Sequence, residues 1–246
     1  MNIYGLVGYP LSHSFSKKYF TEKFENENIN DSKYELFEIR DIADFTKIIA
    51  QNPNLRGLNV TIPYKESIIK YLDTVHDSAK KIKAVNVIKI SNEGKLIGYN
   101  SDYFGFQTSL LNFLPSDYKG IKALILGSGG AAKAVKSVLE DLSISYLVVS
   151  RKSDPKTIIY EEVNEKIINE YQLIINTTPL GMYPNIKDSP YIPYYAFSDK
   201  HYFFDLVYNP LETLFMLKGK ARGAKTKNGL EMLHLQAEKA WEIWNS

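Results

Sequence analysis

The 246-residue sequence, long enough for one large or two small domains, predicts an α/β fold, and three observations point there. Short apolar runs bounded by turn residues recur along the chain, with helical patterns between many of them. One of these runs, Ala123 to Leu126, leads directly into Gly127, Ser128, Gly129, Gly130, Ala131 and Ala132. The helical pattern that follows places Ala134, Val135, Val138, Leu139 and Leu142 on one face. Strand, glycine turn and helix together form the context of a dinucleotide fingerprint. In it Gly127 permits the tight turn, Gly129 lets a pyrophosphate approach the backbone, and Ala132 lets helix pack on strand. The free N–H groups at the helix N-terminus would hold phosphate charge. The bland alternative is a turn that merely packs a helix closely.

Composition narrows the class. Charged residues make up 24% and hydrophobic residues 44%, as in an ordinary globular protein. A net charge of +2 gives no case for nucleic acid or an anionic membrane as the main partner. The absence of cysteine excludes disulfides and thiol catalysis and fits a cytoplasmic enzyme. No basic leader, membrane-length apolar run, internal repeat or low-complexity tract is visible.

In chain order, Ile3 to Val7 reads as the first strand. It opens into GYPLSHSFSKKYF, a loop followed by an amphipathic helix through Phe24. Ser12 and Ser14 stand at the C-terminal end of that strand, the ligand edge of an α/β sheet. Their hydroxyls suit a polyol or a carboxylate, while taken alone Ser14 or Ser16 reads better as the cap of the helix. His13 reads as a solvated loop residue. Tyr34 to Ile39 and Leu55 to Val60 are the next strands, with a helix over Ile42 to Ala50 between them. After NVTIPYKES, Pro63 marks a helix start, which places Lys65 in the first turn. There the helix field favours a neutral amine, a usable proton acceptor. Its alternative is a surface lysine.

Helical patterns follow over Ile68 to Leu72 and Ser78 to Ile82, then a strand from Ala84 to Ile90 in which Asn86 needs partners for its amide. Leu96 to Tyr99 returns as a strand. Asp102 then stands before an aromatic-rich helix, either as its cap or as a carboxylate paired with a lysine. Tyr146 to Val149 ends at Ser150, Arg151 and Lys152, two cations where an NAD enzyme usually carries an acid. Leu173 to Ile175 runs into NTTPLGMYP, placing Asn176 and two threonines on the ligand edge. Tyr202 to Val207 is a strand ending at Tyr208. Thr213 to Leu217 is helical, Ala221 to Lys225 a short connecting element, and Leu230 to Trp244 the final helix.

The motifs GYPLSHSFS, NVTIPYKE, AVNVI, GYNSDYFGF, GSGGAAKA, NTTPLGM, DLVYNP and NGLEMLHLQA occur in this order across nearly the whole chain. In them the chain resembles the shikimate/quinate dehydrogenase family. The resemblance implies an N-terminal α/β catalytic domain, residues 1–101 with 226–246, and a Rossmann-type NADP-binding domain, residues 102–225, with a cleft between them. The final helix would pack back on the first domain. The implied reaction is the reversible NADP-dependent reduction of 3-dehydroshikimate to shikimate, a step toward chorismate and the aromatic amino acids.

By the same resemblance, Lys65 is the catalytic proton acceptor and Asp102 its partner, while Ser12, Ser14, Thr61, Asn86, Tyr208 and Gln236 contact substrate. Gly127, Ser128, Gly129, Gly130, Ala131, Ser150, Arg151, Lys152, Leu206 and Gly229 form the cofactor shell, with Asp77 at a weaker cofactor-side position. The implied partners are a small-molecule substrate and NADP, with no metal, nucleic acid or membrane, in a cytoplasmic monomer or homodimer. Three departures from the family pattern stand out. IKAVNV replaces IGAVNT at Lys83 and Val87, GYNSDYFGF replaces GYNTDGxGF at Ser101 and Tyr103, and SRK replaces NRT. The competing readings are a quinate enzyme using NAD, a non-catalytic regulator on the same fold, and a two-domain enzyme acting on folate carbons. Retention of both Lys65 and Asp102 speaks against the regulator, and the serine-rich first loop against the folate enzyme.

Overall fold

The apolar runs become the inner strands of two six-stranded sheets in the computed structural model, which describes every residue except 13 and 153. His13 of the first loop therefore lies outside the described residues. The chain forms two compact units, Met1–Asp102 with Gln236–Ser246, and Tyr103–Leu235.

The first unit contains β1 (Asn2–Gly8), α1 (Phe15–Asn26), β2 (Ser32–Glu38), α2 (Phe45–Gln51), β3 (Leu55–Val60), β4 (Thr74–Val75), α3 (Asp77–Ile82), β5 (Val87–Ile90) and β6 (Leu96–Tyr99). The sheet order is β2-β1-β3-β5-β6-β4. β1 runs parallel to β2 and β3, and β5 runs antiparallel to β3 and β6. One sheet edge therefore collects the ends of β1, β2, β3 and β6 together with the start of β5. Side chains alternate between the faces. Val7, Leu58, Val60 and Ile88 join Phe45 and Ile48 of α2 on one side. Tyr4, Leu6 and Val87 join Phe20 and Phe24 of α1 on the other, with Ala237, Ala240 and Trp244 from the last helix, α8 (Leu230–Asn245). Gly57 makes room for that helix, because a Cβ there would lie 2.3 Å from the Trp244 indole. The Trp244 indole N–H donates to the Ile88 carbonyl at 3.0 Å.

The second unit takes most of α4 (Ser101–Phe113), then β7 (Ala123–Leu126), α5 (Gly130–Asp141), β8 (Tyr146–Ser150), β9 (Thr157–Ile159), α6 (Glu165–Glu170), β10 (Leu173–Asn176), β11 (Tyr202–Asp205), α7 (Leu214–Lys220) and β12 (Lys225–Lys227). All its strand pairs are parallel, in the order β12-β11-β10-β7-β8-β9. β7 is buried on both faces, Ala123 and Ile125 in one core and Leu124 and Leu126 in the other, which explains its unbroken apolar run. Strand order reverses at β7, so the crevice of this doubly wound sheet opens beyond the ends of β7 and β10.

Several boundaries differ from the sequence reading. Asp102 belongs to the first unit and residues 226–235 to the second. The second difference follows from β12, an edge strand on β11 rather than a connector, and from Lys227, which pairs with Glu231 in the first turn of α8. Lys65 is not in a helical turn. Its carbonyl accepts the Val85 N–H at 2.7 Å instead of continuing a helix, and the next helical segment is a 3-10 turn over Ser67–Tyr71. Among the described residues, no helix is long and apolar enough to cross a membrane.

Candidate active site

In the first unit the candidate substrate residues gather at the shared sheet edge. Gly8 ends β1, and a Cβ there would sit 2.4 Å from the Thr61 methyl, so the first loop and the start of the loop after β3 touch. The Leu11 N–H donates to Glu38 Oε2 at 2.7 Å, tying the first loop to the end of β2. Ser12 is exposed in that loop. Ser14 is the N-cap of α1, its Oγ accepting the Lys17 N–H at 3.3 Å. The cap reading of Ser14 therefore holds. A hydroxyl that accepts in this way still has its proton to donate.

Asn86 stands just before β5, and its amide is spoken for. Oδ1 accepts the Ser101 N–H at 2.7 Å, and Nδ2 donates to Ser101 Oγ at 3.1 Å. Ser101 Oγ reaches Gln236 Oε1 at 3.4 Å. Behind this cluster, the buried Tyr34 hydroxyl donates to Asn59 Oδ1 at 2.7 Å. Asn86 thus fixes the first turn of α4, in which Asp102 follows Ser101.

Asp102 is inside the first turn of α4 rather than its cap. Its Oδ2 accepts from Lys65 Nζ at 2.7 Å, with both side chains partly exposed. A lysine from the loop after β3 thus meets a carboxylate from the end of β6 across the intervening β5. An ammonium so placed can give a proton to a carbonyl oxygen, and the amine can take it back. Asp77 is elsewhere in this unit, in the first turn of α3, where Lys80 Nζ binds it at 3.0 Å and holds its carboxyl below the usual range.

In the second unit the glycine turn has the shape the sequence implied. Gly127 takes φ +106, and a Cβ there would lie 2.8 Å from Thr177 Oγ1. Gly129 caps α5, and nothing lies within 4 Å of a Cβ built on Gly129 or Gly130. That is the open approach a pyrophosphate needs at a helix N-terminus. Ala132 is fully buried against the sheet. Ser128 and Ser150 bring their hydroxyls within 3.2 Å, and Arg151 and Lys152 are exposed beside them. This chemistry of small donors and cations fits a phosphorylated dinucleotide.

β11 ends at Asp205, two residues earlier than the apolar run suggests. Beyond it come Leu206 and the half-buried Tyr208, whose phenol burial pushes up, so it remains a hydrogen-bond donor at neutral pH. A Cβ at Gly229 would lie 2.2 Å from the Leu206 carbonyl, so only glycine fits. Sequence reasoning missed Asp205 itself. The available signal was one charged residue inside Tyr202 to Val207, otherwise an apolar run.

The departures from the family pattern have local accounts. Lys83 adopts the left-handed conformation at the end of α3, φ 57, where a glycine would be unstrained. Val87 is fully buried in the core of the first unit, where a methyl packs as well as a hydroxyl. The Tyr103 hydroxyl donates to Asp141 Oδ2 at 2.6 Å and its ring packs on the core around Phe106, so the second unit absorbs its bulk.

Comparison with known proteins agrees with these features. Residues 6–88 match the model of the shikimate dehydrogenase substrate binding domain. The NADP(+) shikimate dehydrogenase of Clostridium beijerinckii is 42% identical over 99% of this chain and 92% of its own. The crystal structure of shikimate dehydrogenase from Aquifex aeolicus superposes with a TM-score of 0.87 at 34% identity, over 100% of this chain and 92% of that one. The enzyme from Thermus thermophilus, solved with NADP(H) and shikimate, superposes at 0.83 with 30% identity, over 99% of this chain and 93% of that one. With such identity across almost the whole length of both partners, the chain belongs to the shikimate dehydrogenase family.

Proposed function

We propose that this chain catalyses the reversible NADP-dependent reduction of 3-dehydroshikimate to shikimate, as a cytoplasmic oxidoreductase acting on a small molecule. The observation that carries the reading is the Lys65–Asp102 pair at the sheet edge, 2.7 Å from amine to carboxylate. Bound NADPH supplies the hydride. Lys65 gives its proton to the carbonyl oxygen in reduction and removes it from the hydroxyl in oxidation, while Asp102 holds the amine in place. By the family pattern Ser12, Ser14, Thr61, Asn86 and Gln236 supply donors and acceptors suited to a carboxylated polyol, and Tyr208 supplies a phenol. Gly127 to Ala131 hold the pyrophosphate, and Ser150, Arg151 and Lys152 the 2′-phosphate, with Leu206 and Gly229 toward the nicotinamide end. Asp77 retains only the support of the family pattern. The first unit is the substrate domain and the second the cofactor domain.

The test follows absorbance of reduced nicotinamide with shikimate or quinate, each with NADP or NAD. Fastest turnover with shikimate and NADP is expected. Preference for quinate with NAD would move the chain to the related activity, and no turnover with any pair would refute the enzymatic reading.

A further inference from the structure

We infer that Asp205 is a positioning residue, whose carboxylate fixes the backbone of Leu206 and Val207 and so sets where Leu206 and Tyr208 stand for cofactor and substrate. This rests on the function proposed above. Asp205 is fully buried. Its Oδ1 accepts from Asn176 Nδ2 at 2.9 Å and from the Val207 N–H at 3.0 Å, and its Oδ2 accepts from the Thr213 hydroxyl at 2.5 Å. Thr213 in turn caps α7, accepting the Met216 N–H at 3.3 Å. Asn176 uses its own Oδ1 to accept from the Thr178 N–H and hydroxyl, at 3.0 and 2.6 Å. One carboxylate therefore joins the loop after β10, the loop after β11 and the start of α7.

The same two residues are held from other directions. The Leu206 N–H donates to the Asn176 carbonyl at 3.0 Å, and the Val207 carbonyl accepts the Gly229 N–H at 3.1 Å. Those bonds fix the Leu206 N–H and the Val207 carbonyl, and the carboxylate supplies the remaining anchor, at the Val207 N–H. Three neutral donors around a buried acid are a costly way to stabilise a fold, since desolvation of the charge opposes it. Their geometry is a precise way to orient a loop.

The test compares Asp205→Ala, Asp205→Asn and Ile168→Ala, a core change on α6 in the same unit. NADP affinity is measured by direct titration, and KM for shikimate by turnover. Asp205→Ala should weaken both by about tenfold or more, the cost of leaving donors unpaired. Asp205→Asn keeps the Oδ1 acceptor and should stay within about threefold of wild type. Ile168→Ala, at a comparable loss of melting temperature, should leave both constants unchanged. Wild-type affinities in a folded Asp205→Ala protein, or equal losses in Ile168→Ala, would overturn the inference. If Asp205→Ala does not melt cooperatively, Asp205→Asn decides: near-wild-type constants support positioning, and a tenfold loss overturns it. Wild-type protein that binds NADP but leaves shikimate unconverted would sink the proposed function alone, and the NADP titrations would still judge Asp205.

Discussion

Replacing Asp205 by asparagine should change how stability depends on pH, in a direction opposite to that of most carboxylates. Burial outweighs the three hydrogen bonds and raises the Asp205 carboxyl from its ordinary 3.8 to about 6. The folded state therefore binds this proton more tightly than the unfolded chain. Between about pH 4 and 6 the folded protein keeps the proton while the unfolded chain has released it, so stability falls as pH rises through that window. Below it both states are protonated, and above it both are ionised, so the contribution is flat at either end. The gap from 3.8 to about 6 corresponds to about 3 kcal/mol, at ~1.4 kcal/mol per pH unit.

Tyr194 faces this acid, and its phenol, pushed up by burial and further by Asp205, stays neutral across the range, so Asp205 titrates beside an uncharged neighbour. Asparagine imitates the protonated acid. Urea denaturation of wild type and Asp205→Asn at pH 4 and pH 7.5 isolates the effect, because other titrations cancel in the difference. The variant should gain about 2.5 kcal/mol relative to wild type between the two pH values, most of the full effect, since at pH 4 the unfolded carboxyl is already partly ionised. A difference that stays constant with pH would show that the buried acid is not protonated preferentially in the fold, and would refute the reasoning.

Four further outcomes are expected. Lys65→Ala should lower kcat by roughly 10²–10⁴ with substrate binding largely kept, and near-normal turnover would return Lys65 to the status of a surface lysine. Arg151→Ala should shrink the preference for NADP over NAD by about ten- to a hundredfold, read as kcat/KM for each cofactor; an unchanged ratio removes Arg151 from the 2′-phosphate site. Lys83→Gly should stabilise the fold by about 0.5–1 kcal/mol, the left-handed strain relieved less the added freedom of the unfolded chain, and thermal melting would detect the opposite sign. Ser14→Ala should both raise KM for shikimate and cost about 1 kcal/mol of stability as a lost helix cap, so a stability loss with unchanged KM would leave it a cap alone.

Strands with three or more apolar residues between turn signals were legible from the sequence, and Leu55–Val60 and Leu96–Tyr99 fall where the pattern put them. Three of the four edge strands were not. Thr74–Val75, Thr157–Ile159 and Lys225–Lys227 are two or three residues long and keep partial exposure, so they carry no apolar run to read. Lys65 was misplaced for a different reason. A proline followed by polar residues suggests a helix start locally, but the Lys65 carbonyl is captured by Val85, twenty positions away in sequence. The same contact delays β5 until Val87, three residues after its apolar run begins. The glycine turn was legible because each glycine answers a local constraint, whether the positive φ of Gly127 or the open space at Gly129.

Around the Lys65–Asp102 pair, the structural and functional readings of a residue are compatible wherever its hydrogen-bonding capacity exceeds its structural use. Ser14 spends a lone pair on the Lys17 N–H and still carries a proton. Asn86 gives its oxygen to the backbone and hydroxyl of Ser101 and one Nδ2 proton to that hydroxyl, and it keeps a second Nδ2 proton. Lys65 commits one of three ammonium protons to Asp102 at 2.7 Å. Asp205 differs, since both its oxygens are taken up by protein donors inside the fold. A side chain so fully committed can act on a ligand only through the groups it holds, which is why its effect should appear in the affinities that Leu206 and Tyr208 serve and not in the proton transfer of Lys65.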